Sequence, residues 1–217
     1  QGSQIQTREE FLFGKFETLM RPACGSGIVS SFFTFNDVNF QSNWNEIDFE
    51  FLGRNTNSID TNIIRTMGGI ADKNINVQKK TLPKRNEDAY WKLSIEWLPS
   101  MITWKINDEI IRARAISIST PQKLMMNIWQ GSPEWAGEFN GGILPQKATY
   151  KYVKYSRYEN GQFVPTWMDR FTELNEERWY VALHNTGLTQ LVKENVAIVN
   201  NNLVLNLTSI DKTILKP

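Results

Sequence analysis

Apolar and polar residues alternate with a period of two along much of this chain, and that rhythm favours extended strands over helices. Leu93, Ile95 and Trp97 alternate with Lys92, Ser94 and Glu96, and Ile102, Trp104 and Ile106 alternate with Met101, Thr103 and Lys105. Pro99-Ser100 turns the first run into the second, and Asn107-Asp108 leads on into residues 110–115, which predicts a meander of three strands. Further alternating or apolar runs lie near 11–20, 28–35, 46–52, 59–66, 123–129, 148–158, 196–199 and 203–208. Clusters such as Gly25-Ser26-Gly27, Gly68-Gly69, Gly131-Ser132-Pro133 and Asn200-Asn201-Asn202 separate them. No long helical stripe interrupts the pattern, so about a dozen short strands predict an all-β sandwich or barrel. A chain of 217 residues fits one such domain.

Charge and cysteine content remove several classes of function. Lys+Arg 24 against Asp+Glu 23 leaves a net charge of +1 with no sustained basic block, so nucleic acid is not an expected partner. Apolar stretches fall far short of the roughly 20 residues that cross a bilayer, and no membrane association is expected. Cys24 has no second cysteine to pair with, and His184, the single histidine, cannot build a histidine-rich metal site. The expectation is a buried inert thiol at Cys24 and a surface loop at His184. Aromatic residues are abundant, with Trp 8, Phe 12 and Tyr 6. Flat indole faces stack well on the apolar faces of sugar rings, although each tryptophan can also serve the core. Trp97 and Trp104 read as core residues from their alternation with polar neighbours.

The segment NEIDFEFLG is the most informative in the chain. In an extended strand Glu46, Asp48 and Glu50 share one face while Ile47, Phe49 and Phe51 share the other. Acids are depleted in strands and three on one face repel one another, a local conflict expected mainly at functional sites. At about 3.3 Å per residue, the Cα atoms of Glu46 and Glu50 stand roughly 13 Å apart. Glutamates leaning inward could bring their carboxyls to about 5–5.5 Å, the separation of a retaining glycosidase. One would then attack an anomeric carbon while the other donates a proton to the leaving oxygen. A solvent-facing edge strand and a calcium-binding strand fit the spacing as well. Trp44 precedes Glu46 on the same face and would wall a cleft there.

At these residues the sequence resembles glycoside hydrolase family 16, whose signature is a Glu-x-Asp-x-Glu strand. The uninterrupted spacing is similar to that of the lichenases (endo-1,3-1,4-β-D-glucanases) and of the xyloglucan-active enzymes. GKFETLMRPACGSGIVSSFFTF and KLMMNIWQGSPEWAG resemble lichenase segments, and KLSIEWLPSMITWKINDEIIR matches a strand pair common to the family. FVPTWMDRFTELNEERW and NVAIVNNNLVLNLT resemble the amino-terminal part of most lichenases, yet here they follow YKYVKYSRY. That order is similar to a circularly permuted branch, with residues 1–217 forming one domain joined near 159–165, a stretch that reads as a soft joint.

The resemblance implies a two-sheet antiparallel jelly-roll sandwich, of the concanavalin A-like kind, with a concave substrate cleft. It implies endo-acting, retaining hydrolysis of mixed-linkage β-1,3-1,4-glucan, with Glu46 as nucleophile, Glu50 as acid/base and Asp48 as their helper. Phe33, Phe35, Asn62, Trp129 and Trp135 would line the cleft, with Asn127 as a contact to a sugar hydroxyl. No metal in the site and no cofactor are required, while one structural calcium on the convex side is allowed. The expected protein is a secreted monomer acting on β-glucan. A xyloglucan endohydrolase or transglycosylase, and a noncatalytic β-glucan-binding lectin-like module, are the alternatives. Three positions depart from the pattern: Asp37 and Asp60 stand in place of amides, and Trp91 stands where many members have histidine.

Overall fold

The structure, a computed structural model, describes residues 1–36, 43–67, 70–72, 77–85 and 88–210. In chain order the strands are β1 (Ser3–Thr7), β2 (Gly14–Arg21), β3 (Ile28–Asn36), β4 (Asn45–Leu52), β5 (Ser58–Met67), β6 (Ile70–Asp72), β7 (Gln78–Thr81), β8 (Trp91–Trp97) and β9 (Met101–Ile106). They continue with β10 (Glu109–Ala115), β11 (Lys123–Gln130), β12 (Gln146–Glu159), β13 (Gln162–Asp169), β14 (Trp179–Val181), β15 (Asn185–Thr186), β16 (Thr189–Gln190), β17 (Val196–Ile198) and β18 (Leu203–Leu207). One short helix, α1 (Pro133–Ala136), lies between β11 and β12.

Two antiparallel sheets form the body. The first runs β14-β1-β11-β3-β4-β5-β6, with β7 also on β5, and the second runs β10-β9-β8-β2-β12-β18-β17, with β13 also on β12. Strand periodicity turns one face of each sheet toward the other. Phe32, Ile47, Phe49, Phe51 and Met126 of the first sheet are buried in one cluster with Phe16, Leu93, Ile95, Trp97, Trp104 and Tyr150 of the second. Trp97 and Trp104 are core residues, as their alternation predicts.

The β8-β9-β10 meander forms as expected, its second turn made by Asn107 and Asp108 with φ of 50° and 68°. A register shift between Ile110 and Arg112 then reverses the last strand. Ile110 faces outward at 59 % exposure while Arg112 turns inward at 7 %. The run expected near 11–20 starts as a strand only at Gly14, because Phe13 (φ 66°) and Gly14 (φ 133°) break the extended backbone. The stretch expected to be a soft joint is instead a tight hairpin: β12 turns into β13 through Asn160 and Gly161, with φ of 49° and 82°. Cys24 is half-buried rather than buried.

The first residue lies beside the last described strand. The Gln1 amino group donates to the Thr208 carbonyl at 2.7 Å, and the Thr208 N–H donates to the Gln1 carbonyl at 2.8 Å.

Candidate active site

Strand β4 occupies an inner position of the first sheet, and its neighbours decide what surrounds the acids. Its core face carries Ile47, Phe49 and Phe51, all fully buried, which fixes Glu46, Asp48 and Glu50 on the opposite face. Register across β3, β4 and β5 lays out three rows: Phe35, Glu46 and Ile64; Phe33, Asp48 and Asn62; Ser31, Glu50 and Asp60. Strands β11 and β1 extend the second row with Met125 and Gln6, and the third with Asn127 and Gln4.

The strand is anchored from beneath. Trp104 of the second sheet donates its indole N–H to the Asp48 carbonyl at 3.0 Å. The Arg112 guanidinium lies 4.7 Å over the Trp104 ring, and its Nη1 donates to the Thr61 carbonyl of β5 at 2.8 Å. The inward turn of Arg112 therefore ties β4 and β5 to the far sheet.

The environments of the three acids differ. Burial pushes Glu46 up to about 7, opposed by the Trp44 indole, which donates to Glu46 Oε2 at 2.8 Å, and by a hydrogen bond from Asp48. Burial, then the charges of Glu46 and Asp60, hold Glu50 well above the usual carboxylate range. Asp48, 2 % exposed, is raised by burial, then by the charges of Glu46 and Glu50 and its hydrogen bond to Glu46, against a pull from Arg112. Of the two glutamates Glu50 is raised the further, while Glu46, with an indole N–H on its oxygen, is the readier to ionise. One ionised and one protonated carboxyl are what a double displacement at an anomeric carbon requires.

Two hollows meet at these acids and share Trp44, Glu46, Glu50 and Trp129. The first, about 620 Å³, takes in Phe33, Phe35, Asn127 and Gln4. The second, about 590 Å³, takes in Asp48, Asn62, Asp60, Arg54 and Trp135. The Trp129 and Trp135 rings stand 5.7 Å apart at 41°, the first on β11 and the second on α1. Phe35 bridges toward Phe33 at 6.3 Å and Trp44 at 6.5 Å.

Residues 1–154 match Glycosyl hydrolases family 16. The chain belongs to that family. A Bacillus subtilis beta-glucanase is 34% identical over 148 residues, covering 67% of this chain and 59% of its own length. A Fibrobacter succinogenes beta-glucanase is 30% identical over 192 residues, covering 82% of this chain and 54% of its own. This chain thus spans little more than half the length of either relative. Among solved structures, a prokaryotic beta-1,3-1,4-glucanase (lichenase) from a mouse hindgut metagenome superposes with a TM-score of 0.62 at 28% identity, covering 71% of this chain and 78% of that one.

On this family-16 chain, the sequence-predicted residues Glu46, Asp48, Glu50, Phe33, Phe35, Trp44, Asn62, Asn127, Trp129 and Trp135 all line one or both hollows. Asn62 bends its Oδ1 back to accept from the Ile63 N–H at 2.8 Å, and Asn127 donates to Gln4 Oε1 at 3.3 Å. Asp37 lies outside the described residues. His184 is on an exposed loop as expected, but that loop also lines the first hollow together with Asn185, Thr186 and Gly187. Gly187 packs so closely on Trp129 that a Cβ there would lie 3.0 Å from the ring. Gln4, Gln6, Met125 and Arg54 are further lining residues that the sequence reading missed. For Gln4 and Gln6 the available signal was their alternation with Ile5.

Among the described residues no group of three or more His, Cys, Asp or Glu side chains is placed to hold a metal ion.

Proposed function

We propose that this family-16 domain is an endo-acting, retaining β-glucanase that hydrolyses mixed-linkage β-1,3-1,4-glucan. Glu46 attacks the anomeric carbon, Glu50 protonates the leaving oxygen and then activates water, and Asp48 between them couples the two. The observation that carries this reading is the row of three acids on one face of β4, with the Trp44 indole donating to Glu46. Names of the relatives support the glucan, and the lichenase neighbour supports the mixed linkage. Trp129 and Trp135, their rings 5.7 Å apart, serve as one stacking platform beside the acids. A noncatalytic lectin-like module is the weaker reading, because a binder has no use for three crowded acids.

We also infer circular permutation, with the joint at the Asn160-Gly161 hairpin. The order of segments supports it, FVPTWMDRFTELNEERW and NVAIVNNNLVLNLT following YKYVKYSRY, and the hydrogen bond between Gln1 and Thr208 sets those two positions side by side. Secretion follows from the substrate, a polymer that must be met outside the cell.

The deciding experiment measures release of reducing ends from barley β-glucan, laminarin, carboxymethyl cellulose and xyloglucan. Activity on barley β-glucan alone, with the β-anomer as first product by NMR, is the expected outcome. Preference for xyloglucan, or the α-anomer first, would overturn it.

A further inference from the structure

Glu50 meets a fourth acid outside its own strand. Asp60 of β5 stands in direct register with it and is 5 % exposed. Asp60 in turn pairs in register with Lys79 of β7, whose Nζ lies 3.6 Å from Oδ1 and whose side chain is 47% exposed. Acid, acid and lysine thus form one continuous row across three strands. On the other side of Glu50 the same row holds Ser31, Asn127 and Gln4, which are the groups a sugar-binding wall uses. The charged side has a different character.

The remaining charged groups near Glu50 come from known elements. Glu46 and Asp48 share its strand, and Arg54 in the turn after β4 acts on Asp60. Glu134 of α1 lines the second hollow and His184 lines the first, and Glu50 borders both.

We infer that Asp60, balanced by Lys79, is a positioning residue that keeps the proton on Glu50 and so sets the upper pH limit of turnover. A negative charge beside a carboxylic acid disfavours its ionisation, and a cation beside that charge weakens the effect. Burial raises Asp60, opposed by Lys79 at 3.6 Å and then by Arg54, and the charge of Asp60 in turn raises Glu50. The inference rests on Glu50 being the acid/base of the proposed glucanase.

The test is the pH profile of kcat/KM on barley β-glucan for the wild type, Asp60→Asn and Lys79→Met. Removing the Asp60 charge should move the alkaline limb down by about one pH unit. Removing Lys79 leaves that charge unopposed and should move the limb up by a smaller amount. An unmoved limb, a uniform loss at every pH, or movement of both variants in one direction would overturn the inference. If Asp60→Asn does not fold, Lys79→Met on its half-exposed side chain decides alone, an upward shift supporting and any other result refuting. A separate check isolates the role of Glu50. Glu50→Ala, given a dinitrophenyl β-cellobioside and azide, should recover turnover and yield the β-glycosyl azide, as azide attacks the anomeric carbon and the Glu46 carboxylate departs. No recovery would overturn the acid/base role itself, whereas recovery with an unmoved Asp60→Asn limb would overturn only the role of Asp60.

Discussion

On the outer face of the second sheet, Glu17 of β2 and Glu96 of β8 sit among lysines. Lys15 lies 3.2 Å from Glu17 and 3.6 Å from Glu96, Lys105 lies 2.6 Å from Glu96, and Lys154 lies 3.5 Å from Glu17. On the outer face of the first sheet, Glu46, Asp48 and Glu50 stand in an unbroken row, and among the described residues no lysine or arginine forms an ion pair with them. Their neighbours are Phe33, Phe35, Ser31, Asn62 and the Trp44 indole. Both sheets obey the same period of two and both place acids outward. What separates them is compensation: one set has its counter-charges supplied, while the other is left to hold protons instead. A protein tolerates the second arrangement where the strained charge performs chemistry.

The comparison breaks most directly at Glu46. Glu46→Gln should lower kcat by about 10⁴–10⁶-fold, the scale on which removal of a covalent nucleophile acts. Its stability should improve at neutral pH. Glu46 is raised from 4.5 to about 7, so the folded state binds its proton more tightly than the unfolded chain does. The stabilisation this gives is complete below pH 4.5 and is lost as pH rises through about 7. Melting temperature should therefore fall across that window in the wild type and fall less in Glu46→Gln. A variant that keeps its turnover, or melts along the wild-type curve, would place Glu46 in the same class as Glu17.

A smaller effect belongs to the aromatic wall that replaces lysines beside the acids. Trp129 is shared by both hollows and stacks against Trp135. Trp129→Ala should raise KM on barley β-glucan about tenfold, the loss of roughly 1–2 kcal/mol of stacking, with kcat changed less than KM. An unchanged KM would mean that the ring serves packing against Gly187 rather than the polysaccharide.

How much of this was legible in the sequence depends on the range of the forces involved. The β4 face follows from local alternation, because Ile47, Phe49 and Phe51 must be buried together and the acids have nowhere else to go. Trp97 and Trp104 follow for the same reason. Gln4 and Gln6 reach the site only because β1 pairs with β11, more than a hundred residues away, and short polar strands carry no mark of their partner. Arg112 defeats the alternation outright. The bulge after Ile110 sends an isoleucine to solvent and an arginine inward, where the Trp104 ring and the Thr61 carbonyl receive it. The Asn160-Gly161 turn carried the Asn-Gly signature of a tight hairpin, and the polar run around it obscured that.

The smallest expected effect sharpens the comparison from its other side. Glu17 is as deeply placed as Asp60, at 5 % exposure each, so burial alone does not distinguish a working acid from a structural one. Glu17→Gln removes the partner of Lys154 and one of the two partners of Lys15, and both lysines reach solvent and can turn outward. The loss should be about 1 kcal/mol or less, a shift of roughly 2–4 °C in melting temperature for a chain of this size. Turnover of barley β-glucan and its pH profile should match the wild type. A variant that melts normally yet loses activity would mean that charges on the second sheet act through the core on β4. Hydrogen-bonded routes cross the core from Trp104 to the Asp48 carbonyl and from the Tyr150 hydroxyl to the Ser31 carbonyl, so Glu17→Gln should then be compared with Trp104→Phe and Tyr150→Phe, which cut them.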